Sequence, residues 1–372
     1  MRIAEGNRAA QYNNGAAPSL KAPLSDGAAA PWSAALRGGY NRAMPTTEKQ
    51  AADAVLLVRP CAFHSNPQTA ASNAFQRDPG RVDPAAEQAA ASLEFDALVE
   101  ALQSAGVETV VVPDTATPRT PDAVFPNNWV SFHADGTSVL YPMMAENRRG
   151  ERRSDILEHL SRECGFHIER VVDLSLHERD GRFLEGTGSL VLDRTNRVAY
   201  ACLSPRTDVE LLAEAAQVLD YEPVVFAATD RHGVPVYHTN VLMCVGSDFA
   251  VLCADALRDA AQRRAVVRRL EDTGHQVITI TLDQMSDFAG NMLELAASNG
   301  ARVLALSARA LASLTDEQRA ALEARCRLVA APIPAIEAGG GSVRCMLAEI
   351  HLPRRADGSS ATTPAADTHN MQ

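Results

Sequence analysis

One pattern recurs five times along this chain and restricts its fold more than any other feature. A lead-in bearing Asn, Gly or Ser is followed each time by four or five mostly apolar residues. It reads Phe125-Pro126-Asn127-Asn128-Trp129-Val130-Ser131-Phe132, then Leu184-Glu185-Gly186-Thr187-Gly188-Ser189-Leu190-Val191-Leu192. Tyr237-His238-Thr239-Asn240-Val241-Leu242-Met243-Cys244-Val245 is the third, and Phe288-Ala289-Gly290-Asn291-Met292-Leu293-Glu294-Leu295 the fourth. Gly340-Gly341-Ser342-Val343-Arg344-Cys345-Met346-Leu347 is the last. The units are spaced by about 50 to 60 residues, as in circular or stacked repeats whose units bury apolar faces against their neighbours. Helical segments at 87–105, 152–164, 208–219, 256–273 and 316–326 put a helix in each unit, which excludes an all-β propeller. The expected architecture is α/β: a ring of five β-rich units, helices outside, with five strand starts around one central pocket.

The repeat occupies only part of the 372 residues. Residues 1–50 are rich in Ala, Gly, Pro and Asn without apolar periodicity, and are expected to be a disordered extension, with Met44 a possible internal start. The folded domain is expected over 51–353, followed by a polar, disordered tail over 354–372. No seven-residue apolar core marks a secretory signal, and no stretch approaches the 18 or so apolar residues of a membrane span. A net charge of −11 argues against a nucleic-acid partner. Seven cysteines include no CxxC pair, so neither a metal site nor a disulfide framework is expected, and reduced thiols point to the cytoplasm. Homo-oligomerisation is left open.

The chemistry-bearing residues lie at the lead-ins. Cys345 follows Gly339-Gly340-Gly341, whose freedom in φ lets the backbone approach closely, and it is expected on an apolar strand from Val343 to Ile350. His238 lies in an apolar run that would bury it, and Glu185 is flanked by Phe183 and Leu184. A thiol, an imidazole and a carboxylate together make a nucleophile, a proton carrier and an orienting group. Asn127 and Asn128 also suit a strand entry, Asp122 a turn, and Arg148, Arg149 and Arg206 solvated loops or helix starts. Spacing alone favours those structural readings.

Taken in order, Pro-Asp-Ala-Val-Phe-Pro-Asn-Asn, Asn-Arg-Arg-Gly-Glu, Leu-Glu-Gly-Thr-Gly, Leu-Ser-Pro-Arg-Thr-Asp, His-Thr-Asn and Gly-Gly-Gly-Ser-Val-Arg-Cys-Met resemble the pentein superfamily. These are guanidine-modifying enzymes, and the likeness runs over about residues 54 to 353. The nearest resemblance is to the amidinotransferase-like citrulline-utilisation hydrolases. The resemblance implies a pentein α/β-propeller of five ββαβ units. It implies Cys345 as nucleophile, His238 as general acid/base and Glu185 as the carboxylate holding the histidine. Asp122 would bind a substrate α-ammonium, and Arg206 with Arg148 (or Arg149) an α-carboxylate.

The departures bear on the substrate. Deiminases of the superfamily carry an acidic residue where Asn128 stands and commonly where Asn240 stands, and Thr187-Gly188 replaces their Gly-Asp. Two carboxylates grip a guanidinium, whereas an asparagine both donates and accepts and suits a neutral ureido group. The expectation is therefore hydrolysis of L-citrulline to L-ornithine, carbon dioxide and ammonia, with Asn127, Asn128 and Asn240 at the substrate and no metal or organic cofactor. Arginine dihydrolase, arginine deiminase or dimethylargininase-type activity is the alternative. An amidinotransferase or a non-catalytic binding module of the same fold stands further off.

Overall fold

The computed structural model describes residues 48–77 and 83–355. Within them the strands form five three-stranded sheets built on one plan. An inner strand pairs antiparallel with a middle strand, and the middle strand pairs parallel with an outer one. The second sheet holds β3 (Val130–Phe132), β4 (Thr137–Leu140) and β5 (Arg170–Asp173), and the third β6 (Val191–Asp193), β7 (Val198–Cys202) and β8 (Glu222–Phe226). The fourth holds β9 (Met243–Val245), β10 (Phe249–Leu252) and β11 (Gln276–Thr279). The fifth holds β12 (Leu293–Ala296), β13 (Arg302–Ser307) and β14 (Arg327–Ala331). Both ends of the domain supply the first sheet, where β15 (Ala348–Ile350) pairs antiparallel with β1 (Ala54–Arg59), and β1 pairs parallel with β2 (Glu108–Pro113).

A parallel pair needs a crossover, and in every unit a helix provides it. The crossovers include Pro84–Ser104, Ser154–Arg162, Val209–Leu219, Ala260–Asp272 and Asp316–Glu323. Local chemistry starts them: the side chains of Asp83, Asp208 and Asp259 accept from first-turn amides, and Thr315 and Gln318 form a reciprocal capping box. Each unit is thus ββαβ, as the resemblance implies. Phe95, Leu98 and Leu102 of the first crossover are fully buried in one apolar cluster with Val55 and Leu57 of β1, which holds helix to sheet.

The inner strands follow one another about an axis, β15 touching β3, β6 touching β9, and β9 touching β12. A parallel bridge between Ala52 and Leu295 joins the fifth unit back to the first.

At the lead-ins the structure corrects the sequence reading. Four of the five are single helical turns, at Pro126–Asn128, Gly186–Ser189, Thr239–Leu242 and Val343–Met346, rather than the beginnings of strands. Cys345 therefore sits on a helical turn, and only Ala348–Ile350 of the expected strand is extended. The physical reason is length. A run of four to eight apolar residues has no period that separates a buried turn followed by a three-residue strand from one longer strand.

Residues 1–47 of the expected extension lie outside the described residues, as do 356–372 of the expected tail. Of the extension's last three residues, Glu48 and Gln50 pack against the ring. Gln50 Nε2 donates to the carbonyls of Leu192 (2.9 Å) and Val245 (3.0 Å), and its Oε1 accepts from the Arg194 amide (2.7 Å). At the other end Arg354 stacks on Phe166, its guanidinium carbon 3.8 Å from the ring centre. Among the described residues no helix is long and apolar enough to cross a membrane.

Candidate active site

The helical turns of neighbouring units pack on one another near the axis, and their polar residues border one small, narrow cavity. Cys345 reaches it through the triple glycine. Gly340 has φ +90°, and a Cβ on Gly341 would lie 2.7 Å from the Phe125 ring, so both positions require glycine. Cys345 is 3% exposed, and its sulfur faces the same cavity as His238.

His238 and Glu185 are joined. Nε2 of His238 lies 2.9 Å from Oε2 of Glu185, both residues being buried. Burial lowers the His238 pKa to about 4 against the pull of the Glu185 carboxylate, so the imidazole is neutral at neutral pH. Burial disfavours the Glu185 carboxylate too, but Arg206, the His238 bond and Arg148 outweigh it and hold the carboxyl well below the usual range. The other ring nitrogen, Nδ1, lies over Gly188, where a Cβ would come within 2.7 Å of it and within 2.6 Å of Asn128 Nδ2. Glycine at 188 keeps this corner open.

The opposite wall carries charge. Asp122 is buried; its Oδ2 accepts from Asn66 Nδ2 (2.8 Å), while Oδ1 has no partner. Arg148 binds Glu151 through Nε and Nη2, at 2.9 Å each, and donates from Nη1 to Asn128 Oδ1 (3.0 Å). That bond orients the Asn128 amide, whose Nδ2 donates to Asn127 Oδ1 at 2.9 Å. Burial pushes the Glu151 carboxyl above the usual range against the pull of Arg148, with Asp122 and Glu185 adding to the rise. Arg206 donates from Nη2 to Ser72 Oγ (2.8 Å) and to the Thr69 carbonyl (3.3 Å), and lies 3.3 Å from Glu185 Oε2. Residues 66–77 thus fold over the cavity, with Asn73 Nδ2 donating to the Gly340 carbonyl (3.2 Å) and the Arg77 amide to that of Ala338 (2.9 Å).

Of the residues singled out from sequence, Cys345, His238, Asp122, Asn128, Arg148 and Arg206 border this cavity. Glu185 lies against His238, and Asn127 against Asn128. Asn240 lies at the sulfur, its Nδ2 3.5 Å from Cys345 Sγ. Arg149 is turned away onto the Met143 carbonyl and Glu178, whereas Arg148 borders the cavity. Sequence reasoning missed Glu151, Asn66, Ser72 and Asn291. Asn66 and Ser72 carry no local signal, whereas Glu151 closes the Asn-Arg-Arg-Gly-Glu motif three residues after Arg148. Asn291 occupies the same place in its repeat as Asn128 and Asn240, and that equivalence was a usable signal. Among the described residues no group of three or more His, Cys, Asp or Glu side chains is placed to hold a metal ion.

Residues 59–352 match the family model described as N,N dimethylarginine dimethylhydrolase, eukaryotic. The chain belongs to this family. With it comes membership of the pentein superfamily of guanidine-modifying hydrolases, although the matching model is not that of the citrulline-utilisation hydrolases the motifs most resemble. No curated protein matches the sequence.

Solved structures agree on the fold. ArgZ, an arginine dihydrolase from the ornithine-ammonia cycle in cyanobacteria, is 18% identical with a TM-score of 0.63. That match covers 83% of this chain and 42% of ArgZ, so this chain spans less than half of that protein's length. The separate N-terminal domain of ArgZ is 19% identical with a TM-score of 0.62, over 81% of this chain and 99% of that domain. The Pseudomonas aeruginosa DDAH, a cysteine-to-serine mutant complexed with citrulline, is 15% identical with a TM-score of 0.56, over 81% of this chain and 100% of the other.

Proposed function

We propose that this protein is a thiol-dependent hydrolase that cleaves a terminal C–N bond in the side chain of an arginine-type amino acid. One observation supports this above the others. A single cavity holds the Cys345 sulfur, an imidazole kept neutral and backed by Glu185, and an acceptor oxygen of Asp122 that has no partner. The free Asp122 oxygen suits a substrate α-ammonium. Arg206 and Arg148, at the same wall, suit an α-carboxylate once Ser72 and Glu151 share them with it.

Cys345 gives its proton to neutral His238, and the sulfur adds to the trigonal guanidine carbon. The imidazolium, stabilised by Glu185, passes that proton to a terminal nitrogen, and the C–N bond breaks to release ammonia or, from a methylated guanidine, an alkylamine. Water then adds to the same carbon, His238 taking one of its protons. The C–S bond breaks, the second water proton goes to the sulfur, His238 releases the proton it took to solvent and is neutral again, and a ureido amino acid leaves. Asn128 Nδ2, oriented by Arg148, donates towards charge developing at the reacting carbon.

A second reading rests on Asn128 and Asn240, which stand where a guanidinium would call for carboxylates. Their amides suit a ureido carbonyl, so citrulline is a substrate in its own right or as the intermediate of arginine dihydrolysis, giving ornithine, carbon dioxide and ammonia. Arginine, citrulline and N,N-dimethylarginine supplied separately distinguish these activities when ammonia, dimethylamine, citrulline and ornithine are measured. Ornithine from citrulline supports the ureido reading; citrulline accumulating from either guanidine, with no ornithine, rejects it. Cys345→Ser is expected to abolish every activity, and substantial residual turnover would remove Cys345 from its role.

A further inference from the structure

We propose that Asn291 is a further catalytic residue, an amide donor that stabilises the Cys345 sulfur as an anion while it attacks. The inference rests on Cys345 being the nucleophile and adds the group behind it.

The orientation of Asn291 follows from its contacts. Its Oδ1 accepts from the Arg344 amide at 3.0 Å, so its Nδ2 must face the other way. There Nδ2 donates one hydrogen to the Asn240 carbonyl (2.8 Å) and the other to Cys345 Sγ (3.4 Å). Asn240 Nδ2 approaches the same sulfur at 3.5 Å, while the two Oδ1 atoms, farther off at 3.8 and 3.9 Å, accept from the sulfur only while it is a thiol. Two asparagine amides, from two different units, therefore converge on one sulfur atom.

The backbone is shaped to bring them there. Gly290 packs so closely on the turn Thr239–Leu242 that a Cβ would lie 2.4 Å from the Val241 carbonyl. Phe288 adopts φ +62°, uncommon for a bulky residue, and its carbonyl accepts from the Asn291 amide at 2.8 Å. Asn291 is fully buried, so its donors face no competing water.

A thiolate in a buried site needs donors, and hydrogen bonds to the charged form favour it. Several charged or titratable groups share the cavity with Cys345, namely Asp122, Arg148, Arg206, Tyr237 and His238. Arg344, next in the chain, is turned onto Glu349 and the Leu347 carbonyl and does not serve the sulfur. The direct donors to sulfur are thus the neutral amides of Asn240 and Asn291. They favour the anion over the thiol while adding no charge that would repel a cationic guanidine.

The test is the pH dependence of Cys345 alkylation by iodoacetamide, read by peptide mass spectrometry in wild type, Asn291→Asp and Asn291→Ala. Asn291→Asp keeps an acceptor for the Arg344 amide and loses the donor to sulfur. At pH 7 its Cys345 is expected to alkylate at least about tenfold more slowly, with the profile displaced to higher pH and the limiting alkaline rate unchanged. Asn291→Ala is expected to give about a tenfold loss, without added repulsion. Protection of buried Cys202 and Cys244 in the same spectra reports that a variant is folded, and either folded variant is decisive. A wild-type profile in a folded variant would overturn the proposal. Alkylation needs no substrate, so a mistaken substrate leaves this result standing, whereas turnover by Cys345→Ser removes the reading beneath it.

Discussion

His238 and Gly188 show how much the chemistry depends on single atoms. The imidazole is held neutral by burial, with a pKa near 4 against an ordinary 6.5. Between about pH 6.5 and pH 4 the unfolded chain takes up this proton and the folded protein does not, so stability falls as pH drops through that window. Glu185, held low in the folded state, adds a loss in the same direction below its ordinary value of 4.5. The His238 contribution is on the order of 3 kcal/mol across the window. Tm measured from pH 7 to pH 4 is expected to fall, and His238→Gln to fall less steeply; parallel curves would contradict a neutral buried imidazole. Gly188→Ala is the complementary test, since its Cβ must displace the His238 ring or the Asn128 amide. Turnover is expected to drop roughly 100-fold, the scale for ångström displacements of catalytic groups, while the circular dichroism spectrum is kept.

At the scale of elements, the ββαβ plan arises from local signals that agree with one another. Aspartate caps begin the crossover helices, and apolar residues at helical spacing bury against the sheet. Asp208→Ala removes the acceptor of the Glu210 and Leu211 amides, and is expected to cost about 1 kcal/mol in a urea unfolding titration. The lead-in turns are a different case. Gly186-Thr187-Gly188-Ser189 and Val343-Arg344-Cys345-Met346 carry no helical period because each is a single turn. Their apolar residues are buried on all sides by neighbouring units, so sequence pattern reads them as strand. The repeat was legible, while the kind of element at its centre was not.

For the whole molecule, the ring is tied by a few long-range contacts. Gln50 joins the third unit to the fourth with three hydrogen bonds to backbone groups. Gln50→Ala would leave two carbonyls and an amide without their partner, and is expected to cost about 2–3 kcal/mol, read as a lowered Tm. An unchanged Tm would mean that water replaces the side chain. Nothing in the composition around Gln50 distinguishes it from the preceding Ala- and Pro-rich stretch, so its bonds across two units emerged only from the packed ring.

The sequence by itself determined the number of units, the helix within each and the lead-ins on which Cys345, His238 and Glu185 stand. These follow from periodicity, turn chemistry and the cost of burying polar groups, all of which act over short stretches of chain. Only the tertiary structure decided which atoms meet. Asn240 and Asn291 reach the sulfur of Cys345 from positions 105 and 54 residues away, and Ser72 meets Arg206 across 134 residues. Such meetings depend on how five units close about one axis. That closure is set by packing between units, which no local pattern encodes.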